Sequence, residues 1–477
     1  MKPAAHLTPA SLTPQIEKLF SLAAQKTMAL DRRWRTRDGA PVFTATGKYT
    51  ARGWTQWTQG FQYGNALIAY DVTGDADLFN VGLQHTVNDM PEHLTHMGVH
   101  DHGFNTLSTY GQLYRLFREK RLPPDRVKVD RILADVWERR FLELALKVSG
   151  AVQASRWTTL PDGPASEPMG YIYSFNGPHS LFIDTIRTVR ICAVAHLLGH
   201  TLLGEQDRAI NLLERAIIHA RTSARFNVFF GAGRDAFDTP ATRGRTCHEA
   251  LFNVTSGAFR APSTQQGYSP FSTWTRGLAW AILGFAEELE LIQALPADAF
   301  GATFPRAETI AMLEETARAT ADFYIENATA ADGICYWDTG APGLDNIGDW
   351  RHTPADPFNS YEPVDSSASA IAAQGLIRLG RTLGAAGTRY FTCGLAVASV
   401  LMNAPYLSTS PDHEGILLHS IYHRPNGWDY VPPGAKIARG ESCMWGDYHL
   451  LELGLLIHRM AQGGYYTFFD AALMPKT

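Results

Sequence analysis

The chain has 477 residues and a net charge of −5, a length that suggests about three domains as a first guess and leaves one large barrel open. Hydrophobic residues make up 45% and charged residues only 19%, which excludes disorder over most of the chain and allows a core to form without disulfides or metals. The acidic balance, without clustered Lys and Arg, excludes a nucleic-acid footprint, and no run of about 18 apolar residues is present to span a membrane.

The opening MKPAAHLTPASLTP carries a lysine but no apolar h-region, so no secretory signal is read there. Cys192, Cys247, Cys335, Cys393 and Cys443 are an odd set with no CxxC pair. Reduced thiols in a cytoplasm suit that usage.

Residues 1–50 read as an outer helix and lead-in to one catalytic domain covering 1–477. Six stretches then read as helices rich in small and apolar residues: 57–72, 103–118, 183–199, 273–288, 366–381 and 445–460. A helix that is apolar all round is buried on all sides. More charged, amphipathic helices lie between them, for instance 126–149, 205–224 and 305–327, and a one-sided charge pattern suits an outer position. The expected fold is therefore all-α, an (α/α)6 barrel of six inner helices ringed by six outer ones. Strand signals are few and short, such as 226–230 and 415–423, and are placed at the rim.

Aromatic and polar residues gather at the starts of the inner helices, where a toroid brings them to one end of its axis. The first start has Trp54, Trp57 and Phe61, the second His100, Asp101 and His102, and the third Asp184. The fourth has Gln266, Trp274, Arg276 and Trp280, the fifth Asp365, and the sixth Trp445 and Asp447. Stacking faces with a few carboxylates and one Arg are what a sugar pocket needs. Two carboxylates facing one bond are the general recipe for glycoside cleavage.

Each of these residues also has a plainer reading. Asp101 and Asp184 stand where an N-cap would stand. Asp184 follows Leu181, Phe182 and Ile183, an apolar setting that would raise its pKa. Trp57, Phe61, Trp274 and Trp280 could be core aromatics, with Trp274 and Trp280 on different helix faces. Arg276 needs either a ligand anion or a buried carboxylate, for which Asp447 is a candidate. His93, His96, His100, Asp101 and His102 invite a metal reading, but their spacing fits no tetrahedral pattern.

The run 266–280, QGYSPFSTWTRGLAW, closely resembles the QGYxxxSxWxRGxAW signature of the unsaturated glucuronyl hydrolases, glycoside hydrolase family 88. WTQGF (57–61), HDHGF (100–104), IDTIR (183–187), DSSASAIAA (365–373) and WGDYHLLE (445–452) agree with that family in the same order. The resemblance implies an (α/α)6 barrel and removal of a 4,5-unsaturated uronic acid from the non-reducing end of lyase-made oligosaccharides. It implies that Asp184 is the general acid and base, protonating C4 and activating water toward C5. Asp101 would hold ring hydroxyls and help keep Asp184 protonated. It places His100, His248, Gln266, Trp274, Arg276 and Trp280 in the pocket, with Arg276 and Gln266 on the uronate carboxylate and Trp57 and Phe61 as stacking faces. No metal or organic cofactor is implied, and no nucleic-acid or membrane partner. The parent polysaccharide and the oligomeric state stay open.

One segment departs from the family. Where the family often carries a pocket Trp, 172–175 stands here, and its Phe175 can stack but cannot donate a hydrogen bond. The stretch from Phe175 to Asp184 is also shorter, which bears on the subsite beyond the uronate. Alternative readings are an unsaturated rhamnogalacturonyl hydrolase, a hydrolase of saturated glucuronides, and a non-catalytic sugar-binding toroid. A terpene cyclase would need a DDxxD or DxDD cluster, and a 2-epimerase on this toroid a histidine pair.

Overall fold

The computed structural model describes all residues except 2, 35–37, 54–55, 124–130, 302 and 475–477. Trp54 and the first residues of the expected helix 126–149 thus lie outside the described residues. Six inner helical segments form the ring: α2 (Gln59–Thr73), α4 (His102–Thr106) continuing through a π-turn into α5 (Gln112–Arg118), α7 (Thr185–Thr188) with α8 (Arg190–Leu197), α10 (Thr275–Ala294), α12 (Ser366–Thr382) and α14 (Met444–Ala461). The outer ring is α1 (Thr13–Arg33), α3 (Ala76–Asp89), α6 (Arg131–Ser155), α9 (Leu212–Asn227), α11 (Arg306–Phe323) and α13 (Thr388–Leu401). Helix α14 lies against α2 and closes the circle, with α1 packed outside both. This is the (α/α)6 barrel.

Small residues let the inner helices approach closely. A β-carbon at Gly103 would stand 2.1 Å from the Thr188 carbonyl oxygen, and one at Gly60 would stand 2.5 Å from Asn105 Cα. These two glycines of the HDHGF and WTQGF stretches therefore set the approach of α4 to α7 and of α2 to α4.

The strands are short and belong to loops. β1 (Pro41–Ala45) pairs with β2 (Lys48–Ala51), and β3 (Trp157–Leu160) with β4 (Met169–Ile172). β5 (Ser180–Phe182), β8 (Glu249–Phe252) and β9 (Phe259–Ser263) form a three-stranded antiparallel sheet. β6 (Leu202–Leu203) and β7 (Ala209–Ile210) make a hairpin where the sequence suggested the start of a helix at 205. The helix begins instead after Asn211, whose side chain accepts from the Leu213 and Glu214 amides.

The expected strands differ as well. Residues 226–227 end α9, and Val228 makes a single bridge to Thr246. Within 415–423 Leu417 makes a single antiparallel bridge to Leu407, while the Ile416 and Leu417 amides donate to Asp447 and the Tyr422 and His423 amides to Asp429. Where carboxylates take the amides, the ladder goes no further.

A charged layer crosses the barrel axis. Arg187 of α7 reaches Glu287 of α10 at 3.1 Å and Glu452 of α14 at 2.5 Å. Arg190 meets Glu287 at 3.1 Å, and Arg378 of α12 meets Glu290 at 2.9 Å. Outside the ring, His85 of α3 bridges Asp89 at 2.5 Å and Asp31 of α1 at 2.7 Å, with its ring stacked on Tyr63 at 4.5 Å.

Burial disfavours the His85 imidazolium, but the bonds to Asp31 and Asp89 outweigh it and raise the pKa. The clamp therefore stabilises fully below the unfolded value of about 6.5 and fades as pH rises through the raised folded value. His85→Gln is expected to lower stability by about 1 kcal/mol at pH 5.5 and by less at pH 9. Thermal unfolding at the two pH values checks this; an equal loss at both would mean that the clamp carries no charge.

Candidate active site

The N-terminal ends of the inner helices surround a cavity of about 460 Å³. Asp101 and Asp184 both occupy N-cap positions, of α4 and α7, yet neither side chain makes a capping hydrogen bond. Asp365 and Asp75 do cap, each accepting from amides of its own helix. The first two carboxylates face the cavity instead, at 8% and 9% exposure.

His100 lies between them. Its Nε2 is 3.3 Å from Asp184 Oδ1 and 3.8 Å from Asp101 Oδ1. Strand pairing sets Asp184 in place: Phe182 pairs with Glu249, and the Ile183 amide donates to the His248 carbonyl at 2.9 Å.

Burial opposes charge on all three groups, and their mutual contacts decide the outcome. Asp101 and the hydrogen bond with Asp184 raise His100 despite its burial. Burial raises Asp101, with Asp184 adding to it. Asp184 is held below its ordinary value because the His100 hydrogen bond and charge outweigh burial. The expectation that Asp101 keeps Asp184 protonated is thus reversed in the free pocket, where His100 holds Asp184 ionised and the proton favours Asp101.

Aromatic rings make the floor. Trp57, Trp274 and Trp280 all line the cavity. Trp274 and Trp280 both reach it because Trp274 is the extended residue before α10, where helical spacing does not apply. Trp57 stacks on Trp445 at 5.0 Å and 29°. Phe61 is not a stacking face: it is 1% exposed and lies one layer below, against Phe104 at 5.6 Å and Tyr448 at 4.8 Å. It points inward because α2 is buried on every side of its first three turns.

His248 also sits behind the wall, at 2% exposure, between Phe182 at 4.4 Å and Trp274 at 4.7 Å. Its Nδ1 accepts from the Gln265 and Gln266 amides, which fixes the proton on Nε2 of the neutral ring. Burial lowers its pKa to about 4.

Arg276 lines the cavity but is held on all sides. Nη1 donates to Asp365 at 2.8 Å and to the Ile421 carbonyl; Nη2 donates to Gln266 Oε1 at 2.8 Å and to the Tyr422 carbonyl at 2.6 Å. The guanidinium is sandwiched 4.7 Å from Trp274 and 4.9 Å from Trp445. Its ion partner is Asp365 and not Asp447. Asp447 instead accepts from the Tyr49 hydroxyl at 2.6 Å and from the Ile416 and Leu417 amides. Gln266, with its carbonyl turned to Arg276, leaves its amide NH2 for the cavity.

Phe175 lines the cavity at 37% exposure, stacked on His100 at 5.9 Å and edge-on to Phe182 at 5.4 Å. The opposite wall was not found from sequence: Tyr422, His423, Asn426 and Trp428, on the loop before α14. The signal available was the aromatic-rich turn YHRPNGW at 422–428, which carries no helical period.

The histidine run does not assemble a metal site, and among the described residues no group of His, Cys, Asp or Glu does. His102 lies between Ser149 at 2.9 Å and the His96 carbonyl at 3.0 Å, and His93 bonds Asn105 at 3.1 Å. Both are core histidines, which burial lowers to about 4.

No protein-family model matches the chain. It is 28% identical over 431 residues to the unsaturated glucuronyl hydrolase of Bacillus sp. (strain GL1), covering 89% of this chain and 92% of the relative. It is 23% identical over 398 residues to an unsaturated glucuronyl hydrolase of Formosa agariphila, covering 83% and 78%. The solved structure of the Bacillus sp. GL1 protein superposes with a TM-score of 0.64 at 21% identity, over 95% of this chain and 98% of that one. An unsaturated glucuronyl hydrolase specific for heparin superposes at 0.68 and 19% identity, over 95% and 99%. Both kinds of likeness cover nearly the whole chain: along its length it is similar to unsaturated glucuronyl hydrolases, and it shares the fold of those solved.

Proposed function

We propose that the chain removes a 4,5-unsaturated glucuronic acid from the non-reducing end of lyase-made oligosaccharides by hydrating the C4=C5 bond. The observation that carries this reading is the pair of cavity-facing, non-capping carboxylates, Asp101 and Asp184, joined by His100. The 477 residues act as one catalytic domain, with 1–50 supplying α1 and the lead-in hairpin. Five buried, unpaired cysteines suit a reducing cytoplasm. No helix among the described residues is long and apolar enough to cross a membrane.

Asp184 delivers its proton to C4, leaving an oxocarbenium centred on C5 and the ring oxygen. The resulting carboxylate takes a proton from water as the hydroxide bonds to C5. The hemiketal so formed opens, and the exposed hemiacetal at C1 releases the remaining sugar. Protonating carbon replaces protonating the leaving oxygen, so one acid/base group serves both steps and no carboxylate nucleophile is needed.

The free pocket holds Asp184 ionised, and the substrate supplies what changes this. Its own carboxylate is a like charge, which raises the pKa of neighbouring carboxyls. Gln266, through its NH2, is the donor to that carboxylate, and Arg276 contributes charge while holding Gln266 in place. Trp57 and Trp280 shape the ring's seat, and Asp101 binds its hydroxyls.

Asp184→Asn is expected to lose nearly all turnover while still binding, because an amide delivers no proton at neutral pH. Loss of the conjugated enol-carboxylate absorbance reads this directly, and wild-type-like turnover would remove Asp184 from the mechanism. His100→Asn removes the group that holds Asp184 down, so the basic limb of the kcat/KM profile should move to higher pH. An unmoved limb would take His100 out of the control of Asp184.

Arg276→Ala leaves Asp365 buried without its ion partner, at a cost of about 3–5 kcal/mol in stability. Gln266→Ala should fold normally and raise KM about tenfold with kcat little changed. Denaturant unfolding and steady-state kinetics separate the two. A stable Arg276→Ala protein with only a raised KM would make Arg276 the uronate ligand instead.

A further inference from the structure

The loop that carries Asp101 is anchored from outside the ring. Ser149 and Gln153 of α6, with Arg156 just past its end, follow at helical spacing and so share one face. Ser149 Oγ meets His102 Nδ1 at 2.9 Å. Gln153 donates to the His100 carbonyl at 2.8 Å and accepts from the His102 amide at 3.3 Å. Arg156 donates to the Met97 carbonyl and, at 2.8 Å, to the Ser174 carbonyl. The loop before α4 is therefore set before a ligand arrives.

His96 opens this loop. It follows the 3-10 turn Pro91–Thr95, and its carbonyl accepts from His102 Nε2 at 3.0 Å. Its ring takes no part in that scaffold. The residue is half-buried and lines the cavity. The ring lies over Gly98, where a β-carbon would stand 3.0 Å from His96 Nε2, so the bare backbone at 98 gives the imidazole its place. Among the described residues, no group hydrogen-bonds its ring nitrogens. His96 is close enough for its charge to act on Asp101. The chemistry assigned to Asp184 leaves this imidazole without a role.

In a 4,5-unsaturated uronate the carboxylate is on C5, and the two hydroxyls are on C2 and C3, across the ring. With the carboxylate at Gln266 and C4 at Asp184, that hydroxyl edge meets Asp101 and its loop. Asp101 carries one proton at most, so it accepts from the hydroxyls but cannot supply a donor to both of their oxygens. An imidazole offers at least one N–H in either protonation state. We propose that His96 is a further substrate-binding residue of this site, donating to the hydroxyl edge of the uronate beside Asp101. The proposal rests on the reaction assigned in the preceding subsection.

The test measures binding apart from turnover. In the Asp184→Asn protein, titration calorimetry gives Kd for two ligands: the methyl glycoside of the unsaturated uronate and a lyase-derived unsaturated disaccharide. Adding His96→Ala is expected to raise both Kd values about tenfold, and His96→Gln, which keeps an N–H donor, to recover most of that loss. Unchanged Kd values in His96→Ala, with the variant folded by circular dichroism, overturn the proposal. A loss confined to the disaccharide overturns the assignment to the uronate, because it moves His96 to the adjoining sugar. A loss that His96→Gln does not recover overturns the hydrogen bond. A wild-type protein that leaves the enol-carboxylate absorbance of the disaccharide intact overturns the reaction itself, a result read independently of the Kd comparison.

Discussion

Arg187 has no exposed surface, and every part of the barrel axis is arranged around that fact. A guanidinium there is tolerated only with carboxylates in contact, and Glu287 and Glu452 supply them from two other inner helices. Arg190 and Arg378 extend the layer, so α7, α8, α10, α12 and α14 are tied by directional pairs. Inner helices rich in Ala and Gly offer smooth surfaces that would pack in several rotations. Ion pairs with fixed partners select one of them. Removing one partner would leave an uncompensated charge, which costs about 3–5 kcal/mol.

The same layer supports the site. Arg187 lies 5.8 Å from the ring of Trp280, which forms the cavity floor, and His449 meets that ring edge-on at 4.9 Å. Charge, then aromatic rings, then the cavity follow one another along the axis. Phe61, Phe104 and Tyr448 fill the middle layer, separating the ion pairs from the carboxylates above. The depth of the floor is therefore fixed by the core and not by the loops, whereas the walls come from the Ser174–Ser180 turn and the 422–428 loop.

The ring of helices was legible because burial on all sides leaves a compositional mark: small and apolar residues with no polar face. The starts of α10, α12 and α14 fall within two residues of the expected positions. Asp184 shows the limit of local reading. Its sequence setting is that of an N-cap, and the chain does place it at one, but the carboxylate turns away while that of Asp365 stays and caps. What separates them is tertiary: Asp365 has Arg276 beside it, and Asp184 has His100. For the same reason Asp447 looked like the partner of Arg276. Pairing between elements 89 residues apart, as for Arg276 and Asp365, leaves no trace in spacing. The wall at 422–428 was missed because its amides are held by Asp429, a contact that imposes no period on the sequence.

In the proposed reaction, the Asp101–His100–Asp184 cluster is a proton supply that the substrate itself commands. In the free pocket the carboxyl assigned to acid catalysis is the ionised one, because the imidazole bonds it. A uronate carries its own negative charge into a space that already holds carboxylates, and that addition favours taking up a proton. Binding and protonation are thus linked: the cluster binds the anion more tightly as it gains the proton, and gains the proton more readily as it binds the anion. A ligand of the same shape without the carboxylate would leave Asp184 ionised and unable to start the reaction. On the proposed mechanism, discrimination for a uronate lies in the chemistry of the acid as well as in the contacts of Gln266, so that a pocket whose arginine is already engaged by Asp365 can still demand an anion.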